Sequence, residues 1–191
     1  MHSKNTYKAT MAELCSAIPY ILDAPKDTAP IDILCHRADF GMRAYPNEIT
    51  VSPEGGIDGE RWMKHPWLRL EDGSPDPRIQ VSILPRRVFD IAVGGLEAKG
   101  GNLHPGDTII ADIDTSEANM PIGQRLTIGT SVIEVTDYFN DGCVKWKVRN
   151  GAAAKAWIVE PDHIKYRLRG VLCKVVQAGV IAKTDLIRKT D

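Results

Sequence analysis

Cysteine is sparse in this chain, with four residues at positions 15, 35, 143 and 173 and no C-x-x-C pair among them. That spacing argues against a disulfide framework or a structural zinc site, and it suits reduced thiols in a cytoplasm. Long apolar runs are missing as well: no stretch reaches the roughly 18 residues that a membrane-spanning helix needs. Glu13 and Pro19 interrupt what would have to be the apolar core of a secretory signal. The expectation is a soluble, cytoplasmic protein with no membrane partner. Neither sign of charge is in excess, since 24 Lys and Arg stand against 25 Asp and Glu for a net charge of -1. No global attraction to nucleic acid follows, so any anion site has to be a local cluster.

Familiar catalytic motifs do not occur either. There is no Walker loop, no Rossmann glycine fingerprint, no H-E-x-x-H pair and no G-x-S-x-G elbow, which removes the common nucleotide, zinc-protease and esterase readings. A Ser/His/Asp triad built from scattered residues stays open, but none of the five histidines sits in a recognisable motif. Internal repeats, low-complexity tracts and linkers are lacking. What is present is 191 residues with 43% hydrophobic content, enough for one sizeable domain with its own core.

Most of the local pattern is β. Thr10-Met11-Ala12-Glu13 has the form of a capping box and predicts a short helix that ends at Pro19. Ile31, Ile33 and Cys35 alternate with polar or opposite-face residues as an early strand, and Glu48 to Val51 is a second. Ile79 to Leu84 alternates as a strand, after which Pro85 opens a helix through Val93 that Gly94-Gly95 stops. Beyond Gly100-Gly101, the segments Thr108 to Ile113, Arg125 to Ile128 and Ser131 to Thr136 are short β-prone runs between turn residues. Such spacing argues for a barrel or a sandwich. Gly151 to Val159, with four alanines, reads as a helix, and Val171 to Val176 and Val180 to Ile187 supply the last strands. Two loops are ambiguous in role. Gly55 to Trp62 suits either a close backbone approach to a ligand or a turn with Trp62 in the core. Leu70 to Pro77 suits either a lid or a plain connection.

The stretch Phe139-Asn140-Asp141-Gly142-Cys143-Val144-Lys145-Trp146 carries the most chemistry. Asp141-Gly142 favours a tight turn that exposes the residue after it. Lys145, Lys147 and Arg149 follow closely, and neighbouring cations favour thiolate over thiol at Cys143. A half-buried structural cysteine after a hairpin is the competing reading. Val144, Trp146 and Val148 alternate with the cations, which predicts a strand with a cationic face, although seven residues leave a helical turn open. Lys165, Arg167 and Arg169 repeat the same alternation. Two such rows facing one cleft would hold phosphate or a similar oxyanion, Arg by forked hydrogen bonds and Lys as a point charge; otherwise they form a solvated face.

Taken together, Gly56-Ile57-Asp58-Gly59-Glu60-Arg61-Trp62, Gln80-Val81-Ser82-Ile83, Gly106 to Asp112, Ser116-Glu117-Ala118-Asn119-Met120-Pro121 with Gly123, and Gly142-Cys143-Val144-Lys145 resemble the MOSC family. This is the domain at the C-terminus of molybdenum-cofactor sulfurases, found also as small bacterial proteins. Arg167 to Val171 and Gly179 to Ile181 fit as well. The resemblance implies a mainly β fold with a few short helices, a MOSC-type β-barrel over residues 31–191, with residues 1–30 as a helical extension packed on it. It implies a role with the molybdenum cofactor, either as a cofactor-binding domain or as a sulfur carrier, with Cys143 as metal ligand or persulfide-bearing thiolate. By the same matching, Arg61, Asn119, Lys145, Arg149, Arg167 and Arg169 are candidates to contact phosphate and pterin edges. In such a site Asn119, Asn140 and Asp141 would orient the ring by hydrogen bonds.

The small bacterial members often carry Pro-His where this chain has Phe139-Asn140, and glycine where it has Thr184. An asparagine does not relay protons near neutral pH, so thiolate ligation or sulfur transfer fits this turn better than acid–base chemistry. The chain is too short to include the pyridoxal-phosphate desulfurase domain of the large sulfurases, so a separate sulfur donor is expected. A reductase role would need an electron-transfer partner, because no flavin, haem or iron–sulfur motif is visible. The reading from a different class is a non-catalytic barrel that binds another small phosphorylated ligand, with Cys143 structural.

Overall fold

The computed structural model describes residues 8–94 and 106–190. Among them ten strands follow in chain order: β1 (Thr28–Leu34), β2 (Glu48–Ser52), β3 (Gly56–Ile57), β4 (Val81–Pro85), β5 (Ile109–Ala111), β6 (Arg125–Ile128), β7 (Ser131–Val135), β8 (Val171–Gln177), β9 (Gly179–Ala182) and β10 (Leu186–Thr190). Seven of them close a barrel in the order β1-β10-β6-β7-β8-β4-β5, and β3-β2-β9 form a separate small sheet. Every barrel pair is antiparallel except β4 with β5. The molecule is thus mainly β with a closed barrel and short helices.

The helices are α1 (Met11–Ser16), α2 (Ile18–Leu22), α3 (Arg86–Val88), α4 (Val144–Asn150) and α5 (Ala152–Val159), and α3 continues as a π-helical turn over Phe89–Val93. The expected capping box is formed: Glu13 N–H donates to Thr10 Oγ1 at 3.3 Å and Thr10 N–H donates to Glu13 Oε2 at 2.7 Å. Such a cap contributes on the order of 1 kcal/mol, which matters for a helix of six residues.

Strand alternation explains how one sheet serves two cores. Ile83, Ile109 and Ala111 point into the barrel, while their neighbours Leu84 and Ile110 point outward beneath the helices, where they meet Leu14, Phe89, Trp146 and Trp157. The parallel pair β4 and β5 is therefore buried on both faces, as parallel strands usually are. Each fully buried aliphatic side chain there contributes roughly 1.5–3 kcal/mol.

Three sequence expectations need correction. Residues Val144–Asn150 form a helix, so Trp146 and Asn150 share the buried face while Val144 and Val148 face solvent. The apolar alternation was real, but tertiary packing selected the i, i+4 pair. The second cation row is not a strand either: a 3-10 turn over Pro161–Tyr166 ends at Arg167 in the left-handed region, with φ of 45°. Residues 180–187 are split between two sheets, because Asp185 turns the chain by accepting the Ala182 N–H at 2.7 Å. In addition, β1 begins at Thr28, and Thr28 to Pro30 pair with β10. The barrel therefore starts three residues before position 31. Helices α1 and α2 pack on α5 and the outer face of the barrel through Leu14 and Ile21. Gly94 ends its helix with φ of 82°, whereas Gly95 and Gly100-Gly101 lie outside the described residues. No helix among the described residues is long and apolar enough to cross a membrane.

Candidate functional site

Cys143 sits at the junction of a turn and α4. Gly142 before it has φ of 70°, and a Cβ there would meet Ile158 Cδ1 at 2.9 Å and Trp146 Cγ at 3.3 Å. Only glycine lets the backbone cross this close to the helical core. Lys155 Nζ donates to the carbonyls of Asp141 and Gly142 and reaches Asp141 Oδ2 at 3.2 Å, which fixes the turn from outside. Asn140 fixes it from inside, donating to the Arg169 carbonyl at 3.1 Å while its Oδ1 faces Gly142 N–H at 3.4 Å. Cys143 itself is a free, exposed thiol with extended backbone, and its side chain makes no capping bond to α4. Cys35 and Cys173 are buried, and burial pushes their thiols up to about 11 and about 12. Neither supplies thiolate near neutral pH.

Five arginines gather on the same side. Arg149, on α4, is held below its ordinary value by burial and then by Arg43, while Cys143 acts in the opposite direction. Arg43 comes from the loop between β1 and β2, and its Nε is buried without a hydrogen-bond partner. Gly106, with φ of 95°, makes room for it: a Cβ there would lie 3.2 Å from Arg43 Nη2. Arg37 pairs with Glu60 at 2.9 and 3.0 Å. Arg169 pairs with Asp107 at 2.8 Å and stacks on Trp146 at 4.6 Å. Arg61 lies over the Phe40 ring at 4.8 Å, and burial followed by the nearby Arg37 lowers its proton affinity. Among the described residues no carboxylate pairs with Arg43, Arg61 or Arg149. Three guanidinium charges therefore stand without direct compensation, Arg149 nearest the exposed thiol, an arrangement that favours a bound anion.

No family model matches the chain, and no curated protein matches it in sequence. Solved structures do resemble it. The YuaD protein from Bacillus subtilis superposes with a TM-score of 0.59 at 15% identity, over 84% of this chain and 94% of that one. YiiM from Escherichia coli superposes with a TM-score of 0.52 at 14% identity, over 86% of this chain and 70% of that one. The fold is MOSC-like. At these identities the likeness is one of fold.

The MOSC-like barrel does not bring all the expected residues together. Asn119 is buried away from the arginines, and its side chain is spent inside the protein. Its amide donates to the carbonyls of Lys26 and Asp114 at 3.0 and 2.8 Å, and its Oδ1 accepts from Lys189 at 3.0 Å. Arg167 donates to the Met120 carbonyl, faces Glu117 at 3.8 Å, and lines a cavity of about 120 Å³ with Asn140 and Phe139. Arg169 backs the cluster with its charge already matched. Asp141 is exposed and paired with Lys155, and Lys145 is exposed on α4. Trp62 is a core residue, donating to the Asp76 carbonyl at 3.2 Å, so Gly55 to Trp62 serves both as a turn and as the mount for Arg61. Arg37, Arg43 and Lys155 were not signalled by any motif, and Asp107 stood in a matching segment without a role of its own. Tertiary structure alone assembles them, and no local pattern in the loop from His36 to Pro46 marks them out.

Proposed function

We propose that this chain is a molybdenum-cofactor-binding or sulfur-carrying MOSC-like domain, with Cys143 as the thiolate that meets the metal or the transferred sulfur. The observation that carries the reading is the exposed Cys143 at the start of the helix that carries Arg149, with Arg43 next to Arg149 and Arg61 further along the row, none of the three paired with a described carboxylate. The residues present fit the cofactor. The orphaned Arg43 Nε and the free forks of Arg61 and Arg149 suit an anionic tail, and a thiolate is a good ligand for a soft metal centre. No three metal-ligating side chains group together among the described residues, so a metal here has to arrive with the cofactor's own ligands.

When bound, the cofactor supplies redox chemistry at molybdenum. The chain's own part is to hold the thiol outward on the Gly142 turn and to fix the anionic tail by guanidinium charge. As a sulfur carrier the step is an exchange without net redox. Cys143 thiolate attacks the outer sulfur of a donor persulfide, the new S–S bond forms on Cys143, and the donor leaves as its thiolate.

The test is molybdenum per chain, by elemental mass spectrometry, after incubation with released cofactor. Wild type is expected to retain molybdenum and Cys143→Ser to lose at least about tenfold of it, as for a lost ligand. Equal retention in both removes the ligand role.

A further inference from the structure

The uncompensated arginines lead away from Cys143 along the surface. Arg149 follows Cys143 on α4 and feels the charge of Arg43. Arg43 and Arg37 both stand against Gly106, Arg61 N–H donates to the Arg37 carbonyl at 3.0 Å, and Arg61 lies over Phe40 at 4.8 Å. Phe40 is 60% exposed, an unusual state for a phenylalanine held in place by its neighbours, and its ring centroid lies 5.2 Å from that of His65, itself exposed. The far end of the cationic row is thus an aromatic platform open to solvent. Glu60 and Asp107 are already matched by Arg37 and Arg169, which leaves three guanidinium charges, with Asp39 as the edge carboxylate. Each guanidinium fork takes a pair of acceptor oxygens, and two linked phosphoryl groups spread more acceptor oxygens over a longer span than one, so three unmatched forks in a row suit a diphosphate.

We propose that Arg149, Arg43 and Arg61 hold the two phosphoryl groups of a nucleoside diphosphate moiety whose base stacks at the exposed Phe40–His65 pair. Base stacking on aromatic faces tolerates any base, and the guanidinium of Arg61 adds a cation–π contribution. The inference rests on the preceding reading only for what the other end of the diphosphate carries. There, the ligand is a dinucleotide form of the cofactor rather than its monophosphate.

Isothermal titration of GDP and of inorganic pyrophosphate into the chain, at one fixed salt concentration, tests it. GDP is expected to bind about tenfold or more tightly than pyrophosphate, the difference that stacking supplies. Phe40→Ala should erase that difference while leaving pyrophosphate affinity unchanged, and Arg43→Met should weaken both ligands by about tenfold. Arg61→Met, at the rim of the site, serves if Arg43→Met does not fold. GDP no tighter than pyrophosphate, binding of neither, or no effect of Phe40→Ala overturns the proposal. Molybdenum held by Cys143 without any preference for GDP overturns this inference alone. GDP binding unchanged by Cys143→Ser, with no molybdenum retained by wild type, overturns the metal reading alone.

Discussion

Cys143 owes its distinction to its neighbours and to the fate of the other thiols. Cys35 and Cys173 lie in the interior, where desolvation holds them protonated, while Cys15 and Cys143 face solvent. Of the two exposed thiols, Cys143 is the one that interacts with an arginine, Arg149. A neutral-pH titration with a bulky disulfide reagent should therefore label Cys143 and Cys15 in the folded chain and leave Cys35 and Cys173 unmodified until denaturant is added. With an anionic reagent Cys143 should react faster than Cys15, because the guanidinium of Arg149 draws the reagent towards it. Peptide mapping of the labelled positions checks the order, and label on Cys35 or Cys173 under native conditions would contradict the burial assigned to them. The importance of Cys143 was legible in the sequence, from the Asp-Gly turn before it and the cations after it. That of Arg43 was not, since a loop arginine acquires meaning only when Gly106 and Arg149 are folded against it.

At the scale of elements, the sequence pointed correctly to α5 and the capped α1, but read α4 as a strand. Seven residues with alternating valine and tryptophan satisfy a two-residue period and, through Trp146 and Asn150, a helical one. The ambiguity is resolved by Trp146 packing against α5, where its Nε1 donates to the Ala154 carbonyl at 3.2 Å. The helical outcome puts Lys145 and Arg149 four residues apart on one face, with Arg149 half-buried and Lys145 exposed. It also makes Gly142 a hinge of the whole arrangement. Gly142→Ala would place a methyl group 2.9 Å from Ile158 Cδ1 in a left-handed backbone, and is expected to destabilise the chain by roughly 1–3 kcal/mol. Urea unfolding measures this. A loss below a few tenths would mean that the turn relaxes freely. The splitting of residues 180–187 into β9 and β10 was hidden for another reason: both halves are β-prone, and only the Asp185 turn separates them.

For the molecule as a whole, the short β runs and their turn residues made a barrel legible, while its closure order and the separate β3-β2-β9 sheet depend on long-range pairing that no local pattern encodes. Two buried thiols also set a pH limit. Buried Cys173 and Cys35 keep their protons up to about 12 and about 11 in the fold, against 9.0 for an ordinary thiol. Between those values the unfolded chain binds fewer protons than the folded one, so stability present below pH 9.0 is lost as pH rises towards 11. The loss is on the order of 1 kcal/mol per thiol for each pH step in that window. Comparing urea midpoints near pH 8 and pH 10.5 in wild type and in the Cys35→Ala, Cys173→Ala double variant isolates it, since lysine and tyrosine titration is common to both. An equally steep decline in the double variant would assign the effect to other groups.

The most direct test of the central claim is native mass spectrometry of wild type and Cys143→Ser after incubation with released molybdenum cofactor and, separately, with a persulfide donor. The expected result is an adduct on wild type in at least one incubation, either the cofactor or one added sulfur, that is missing from Cys143→Ser. Adducts of equal abundance on both chains, or none on wild type in either incubation, would contradict the assignment of Cys143 as the working thiolate.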